Sequence, residues 1–198
     1  DDCGALPINC HCFAVKNCAA HYWLFNYNKA EIKDMVNALK RSRDIHTFTF
    51  LAARLADAIY ITTNKAPPYD CVCYVPRNPK TKRLYNHDHA EELAIQLAQF
   101  LKLPCLPLLN HTGVKGEQKQ LAREFRGDAA KLRFEMNEAM LVNEKLPYKA
   151  PLLVDDMVTT GSTAYECARI LKLNGAKLVG LAFIAHTPQH KRKSKAGF

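Results

Sequence analysis

The chain has 198 residues, a net charge of +9 and a pI near 9.2, with 48% hydrophobic and 24% charged residues. This is the balance of one folded domain with a short appendage, and it excludes disordered and fibrous classes. No apolar stretch approaches the ~20 residues needed to cross a bilayer, and the N-terminus lacks a signal-peptide pattern, so no membrane insertion is expected. The positive balance favours polyanionic partners, whether phosphate ligands or nucleic acid. The sequence opens at Asp1 without an initiator Met and is expected to be truncated there.

The first elements are cysteines. Cys3, Cys10, Cys12 and Cys18 crowd the N-terminus, dense enough for a tetrahedral structural Zn2+ site. Their spacing, Cys-x6-Cys-x-Cys-x5-Cys, is not a pair of Cys-x2-Cys knuckles. His11 and His21 are rival ligands, and a disulfide framework is the alternative, which a cytosolic setting disfavours. Cys71, Cys73, Cys105 and Cys167 lie in apolar segments and read as small buried residues.

Beyond them, helices and strands alternate. Ile32, Met35, Val36 and Leu39 predict an amphipathic helix over 30–42, and Phe48, Leu51, Ala52, Leu55, Ala56 and Ile59 predict a second. Asn64-Lys65-Ala66-Pro67-Pro68 breaks the pattern before a buried strand, Tyr69–Val75. Ala90, Leu93, Ala94, Leu97, Ala98 and Leu101 predict a third helix, followed by a short strand near Leu106–Leu109. Leu152–Val154 is the next strand. Ala164, Cys167, Ala168 and Leu171 mark a helix closed by Gly175, and Leu178–Ala185 is a last strand. The expectation is an α/β fold with a mostly parallel central sheet and helices on both faces.

Residues 151–163 carry the chemistry. The apolar run Leu152-Leu153-Val154 ends in Asp155 and Asp156, then Thr159-Thr160-Gly161-Ser162-Thr163 opens a helix. Carboxyl ends of parallel strands bind ligands in open α/β sheets, and amides at a helix N-terminus cradle phosphate. Aspartates beside that cradle suit hydroxyls and a hard cation such as Mg2+. A phosphate, a diol and Mg2+ together describe a sugar phosphate. Two further stretches are strongly basic. Arg77, Lys80, Lys82 and Arg83 follow Val75-Pro76, and Lys115, Lys119 and Arg123 stand among Thr112, Gln118, Leu121 and Arg126.

The 151–163 segment resembles the phosphoribosyl-pyrophosphate (PRPP) loop of type I phosphoribosyltransferases. Over roughly residues 15–187 the chain resembles the ComF family, phosphoribosyltransferase-like proteins of natural competence. The resemblance implies a type I phosphoribosyltransferase-like fold covering 22–198, preceded by a Cys-rich zinc-binding segment over 1–21. In the family pattern Asp155 and Asp156 meet the ribose hydroxyls, while Thr159, Thr160, Gly161, Ser162 and Thr163 hold the 5′-phosphate. Val75-Pro76 through His87 is similar to the pyrophosphate loop, although Leu84 stands where the family has glycine. Residues 112–134 are similar to a mobile lid, with Lys115 and Arg123 as catalytic candidates toward the leaving pyrophosphate. Residues 1–50 would form a hood outside the core sheet, with Tyr22, Trp23, Phe25 and Tyr27 as stacking surfaces. The alternating Trp23–Tyr27 stretch also reads as a plainly packed strand. The implied setting is cytoplasmic, with PRPP, single-stranded DNA and a competence helicase as partners, Mg2+ at the ribose and structural Zn2+ on Cys3, Cys10, Cys12 and Cys18. A Cys-x-x-Cys ending at Cys3 would need a cysteine just before Asp1. Active transfer to a small acceptor and PRPP sensing without turnover are the alternatives.

Overall fold

The computed structural model describes residue 15 and residues 17–113 and 133–187. Two helices open the fold after a first strand, β1 (Ala20–Asn26). Helix α1 (Ala30–Arg41) buries Val36 and Leu39. Helix α2 (Ile45–Thr62) starts at Asp44, whose carboxylate accepts from the amides of His46 and Thr47, and it buries the six apolar positions of its stripe. Strand β2 (Cys71–Tyr74) is fully buried. Then come α3 (Pro79–Tyr85), α4 (His89–Leu101), β3 (Leu109–His111) and β4 (Phe134–Met136). Strand β5 (Pro151–Val158), α5 (Ser162–Leu173) and β6 (Gly180–His186) complete the order.

The central sheet runs β1-β6-β5-β2, every pair parallel. Its central strands are buried on both faces and accordingly carry continuous apolar runs, such as Leu152-Leu153-Val154 and Leu181–Ala185. Helices α1, α2 and α4 cover one face around Phe48, Leu55, Leu93 and Val154. Helix α5 covers the other around Leu153, Cys167, Leu171 and Phe183. The expected α/β architecture, a parallel sheet between helical layers, is the one observed.

Four local expectations are corrected. The strand near Leu106–Leu109 is instead a single parallel bridge from Cys105 to Val72, followed by β3, which pairs with β4 in a separate antiparallel ribbon. Pro104 and Pro107 flank that stretch and cannot donate ladder hydrogen bonds. Residues 20–26 are not outside the core sheet: β1 is one of its edges. Tyr22 and Trp23 are buried there, with Trp23 stacked on Phe183 at 5.8 Å, so packing has consumed these rings. The 77–87 stretch is largely helix, because Asn78 accepts from the Lys80 amide and Pro79 pre-sets the first turn of α3. Finally, β5 does not stop at the aspartates but runs through both to Val158.

The helix that follows β5 lies on one face of the sheet, whereas α4, in the connection that follows β2, lies on the other. Between adjacent β2 and β5 the connections therefore diverge, which is where an open α/β sheet leaves a crevice at its carboxyl edge.

Candidate functional site

The loop Thr159-Thr160-Gly161 leaves the end of β5 and turns directly into α5. Gly161 takes φ +76° and serves as the N-cap of α5 without a side-chain cap. A Cβ added there would lie 2.7 Å from Cγ2 of Val15, which is buried behind the loop. Glycine is thus required twice at one position, for its backbone conformation and for the close approach of Val15. Val15 is itself held by its amide, which donates to Nε2 of His21 at 2.9 Å.

In front of the loop is a cavity of about 50 Å³ lined by Asp155 and residues 157–164. Thr160 Oγ1 donates to Ser162 Oγ at 3.1 Å and receives the Ser162 amide at 3.4 Å. The first backbone bond of α5 is Tyr165 N–H to Gly161 C=O at 2.8 Å. Among the described residues no acceptor meets the amides of Thr163 or Ala164. A turn of unsatisfied N–H groups with the positive end of the helix dipole behind it is an anion cradle.

Consecutive strand side chains alternate in direction, and the two aspartates have correspondingly different surroundings. Asp155 lines the loop cavity, and its Oδ1 accepts from the Asp156 amide at 2.9 Å. Burial and the neighbouring Asp156 charge push its carboxyl well above the ordinary carboxylate range. Asp156 is buried beneath α1 and α4. Its Oδ1 is 3.3 Å from His89 Nε2, and its Oδ2 is 2.9 Å from Lys40 Nζ. The ammonium lies off the direction of a good hydrogen bond to Oδ2, so this contact is an ion pair first. Burial opposes charge on Asp156, but His89 and Lys40 outweigh it and hold the carboxyl below its usual range. The motif's adjacent carboxylates are therefore not equivalent. Sequence reasoning missed Lys40 and His89, which come from the end of one helix and the start of another. The only signal was a basic residue in the last turn of α1.

The basic residues of 77–83 divide likewise. Arg77 is committed to the scaffold: Nη1 donates to His87 C=O, Nη2 to Lys40 C=O, and the guanidinium lies 4.8 Å over the Tyr85 ring. Lys82 pairs with Glu91 at 2.5 Å. Lys80 and Arg83 are exposed and have no acidic partner among the described residues. Arg77, Lys82 and Arg83 line an open hollow of about 370 Å³ with Pro79 and Asn86. Leu84 is exposed within α3, and the left-handed residue is Asn86, at φ +54°.

Lys115 and Arg123 lie outside the described residues, as do Cys3, Cys10 and Cys12. Cys18 is described, and burial pushes its thiol up to about 12. No group of three or more His, Cys, Asp or Glu side chains able to hold a metal occurs among the described residues. A Mg2+ does not need such a group, since it is commonly held by one or two carboxylates plus ligand oxygens and water. Asp155 would fit that pattern, because a bound cation opposes the burial and the Asp156 charge that otherwise favour its protonated form.

No protein-family model and no curated protein matches this chain. Among solved structures, a purine phosphoribosyltransferase from Pyrococcus horikoshii is 15% identical over 83% of this chain and 77% of that one, with a TM-score of 0.37. TT1426 from Thermus thermophilus is 17% identical over 75% of this chain and 86% of that one, with a TM-score of 0.36. Likenesses at this level carry no argument about activity, which has to come from the loop itself. No helix among the described residues is long and apolar enough to cross a membrane.

Proposed function

We propose that this chain binds PRPP at the carboxyl end of β5 and is a phosphoribosyltransferase-type protein. The observation that carries this reading is the meeting, in one small cavity, of the open first turn of α5, the Thr160 and Ser162 hydroxyls and the Asp155 carboxylate. The amides and hydroxyls hold the 5′-phosphate. Asp155 accepts from the ribose hydroxyls and, with ligand oxygens and water, holds Mg2+. When bound, that ion neutralises charge on the pyrophosphate. Lys80 and Arg83 are the cations free to meet the same group, and Lys115 and Arg123 would close over it.

Calorimetric titration of PRPP with Mg2+ tests this directly. Saturable binding is expected, with at least a roughly tenfold loss in Asp155→Asn and in Thr160→Val, the size expected for deleting a charged or buried hydrogen bond. No binding by the native chain refutes the reading. Consumption of PRPP with an acceptor present identifies a transferase, whereas binding without consumption identifies a sensor.

At finer resolution we propose a cytoplasmic ComF-type competence role, with single-stranded DNA and a helicase as partners and structural Zn2+ on the N-terminal cysteines. The sequence resemblance and the net charge of +9 support it. DNA affinity is then expected to fall with salt by ~0.7 in log K per phosphate contact per decade. A flat salt response removes DNA from the account.

A further inference from the structure

A helix that packs on a sheet normally turns polar side chains outward. Helix α2 departs from that rule. Its inner stripe is buried, yet its outer face carries Phe50, 62% exposed, and Ile61, 71% exposed. Between them stand Arg54 and Asp57, the only Lys, Arg, Asp or Glu residues of the helix. Their side chains are exposed and pair with each other, Nη1 to Oδ2 at 3.3 Å. An exposed pair of this kind contributes little to folding. Beside Ile61 is an open hollow of about 500 Å³, lined by Arg54, Asp57, Tyr60, Ile61 and Lys65. The Tyr60 hydroxyl donates to Phe100 C=O at 3.1 Å, and the Phe100 side chain of α4 is itself exposed, so the apolar surface continues onto a second helix. Exposed apolar groups gathered round a hollow mark a protein-contact surface.

The order of these side chains selects the partner. Phe50, Arg54, Asp57 and Ile61 follow at steps of four, three and four residues, which keeps them on one helix face. The spacing is the same from either end, with an apolar residue outermost and opposite charges within. When two such helices pack antiparallel about a two-fold axis between Arg54 and Asp57, each Phe50 meets Ile61 of the other copy and each Arg54 meets Asp57, so every contact is made twice. The hollow beside Ile61 then receives the Phe50 ring of the second copy. A parallel arrangement would instead oppose Arg54 to Arg54 and Asp57 to Asp57. We propose that the outer face of α2 is a self-association surface, on which two copies of this chain form a two-fold dimer through antiparallel α2 helices. No residue of α2 lines the loop cavity, so this surface goes beyond the PRPP reading and is independent of it.

The test is sedimentation equilibrium of the full chain over about 1–300 μM, where a dimer with a Kd on the order of 10–100 μM is expected, because a contact centred on one helix is smaller than the roughly 800 Å² per partner of a standard interface. Phe50→Glu is expected to weaken association at least about tenfold. Leu173→Glu, at an equally exposed apolar position on α5, is expected to change it less than about twofold. Arg54→Asp and Asp57→Arg each oppose like charges across the axis, and each alone is expected to weaken association about tenfold. Mixed in equal amounts, these two variants are expected to associate within about threefold of the native chain, because every opposed pair is then complementary. The mixture decides even where one variant is less stable, since mixing restores only the interface. A native chain that stays monomeric throughout overturns the proposal and leaves the face to a different protein. Association undisturbed by Phe50→Glu, or equally disturbed by Leu173→Glu, also overturns it, because the contact is then elsewhere or unspecific. Charge variants that do not recover on mixing overturn it as well, because Arg54 then does not face Asp57.

Discussion

Replacing Gly161 by alanine should damage the phosphate loop for two separable reasons. A non-glycine residue at φ +76° costs about 1–2 kcal/mol. The new Cβ would also stand 2.7 Å from Val15 Cγ2, a contact that must open by about an ångström. Val15 is buried and its backbone is held by His21, so the residue cannot simply move away, and forced overpacking of this kind costs about 1–3 kcal/mol. The expected total is about 2–5 kcal/mol, or a melting temperature lower by roughly 4–20 °C in a chain of this size. Urea denaturation measures it, and Val15→Ala in the same background separates the two causes. The double variant should recover about 1–3 kcal/mol of the overpacking and none of the backbone cost, a coupling that adjacent sites show and distant ones do not. Gly161→Ala within about 0.5 kcal/mol of the native chain would refute the loop geometry, as would strict additivity with Val15→Ala.

Two further outcomes follow from side chains near the site. His21 must be neutral to accept the Val15 amide, and burial lowers its pKa from 6.5. Acid therefore protonates the unfolded chain first, and stability is expected to fall as pH drops below about 6.5. Urea midpoints at neutral and acidic pH should differ more in the native chain than in His21→Gln; His111 and His186, also lowered by burial, account for the fall that remains in the variant. Equal falls in both chains contradict a role for the His21–Val15 hydrogen bond. Leu84→Gly should restore nothing to ligand binding and should cost about 1 kcal/mol, because Leu84 is an exposed helical residue whose position requires no positive φ. Tighter PRPP binding in that variant would show that glycine is wanted there.

Period-3.6 stripes located α1, α2, α4 and α5 because each buries one face against the sheet, and apolar runs located β2, β5 and β6 because they are covered on both sides. What pattern could not supply was competition between local and distant terms. The basic 77–87 segment reads as a loop by motif, yet Asn78 and Pro79 start a helix there. Trp23 reads as a stacking ring by resemblance but more strongly as a packed strand residue by its alternation, and pairing with β6 bears out the strand. The Asp155-Asp156 pair was legible as a site, but its division was not. Lys40 and His89 are distant in sequence from the aspartates, and only the folded chain brings them to Asp156.

The most direct measurement of the central claim is an amide chemical-shift titration of the native chain with ribose 5-phosphate, a ligand carrying the phosphate and diol without the pyrophosphate. The account predicts saturable shifts concentrated on the amides of Thr160 through Ala164 and on Asp155, with α3 unaffected. Shifts centred on Lys80 and Arg83, or none that saturate, would contradict it.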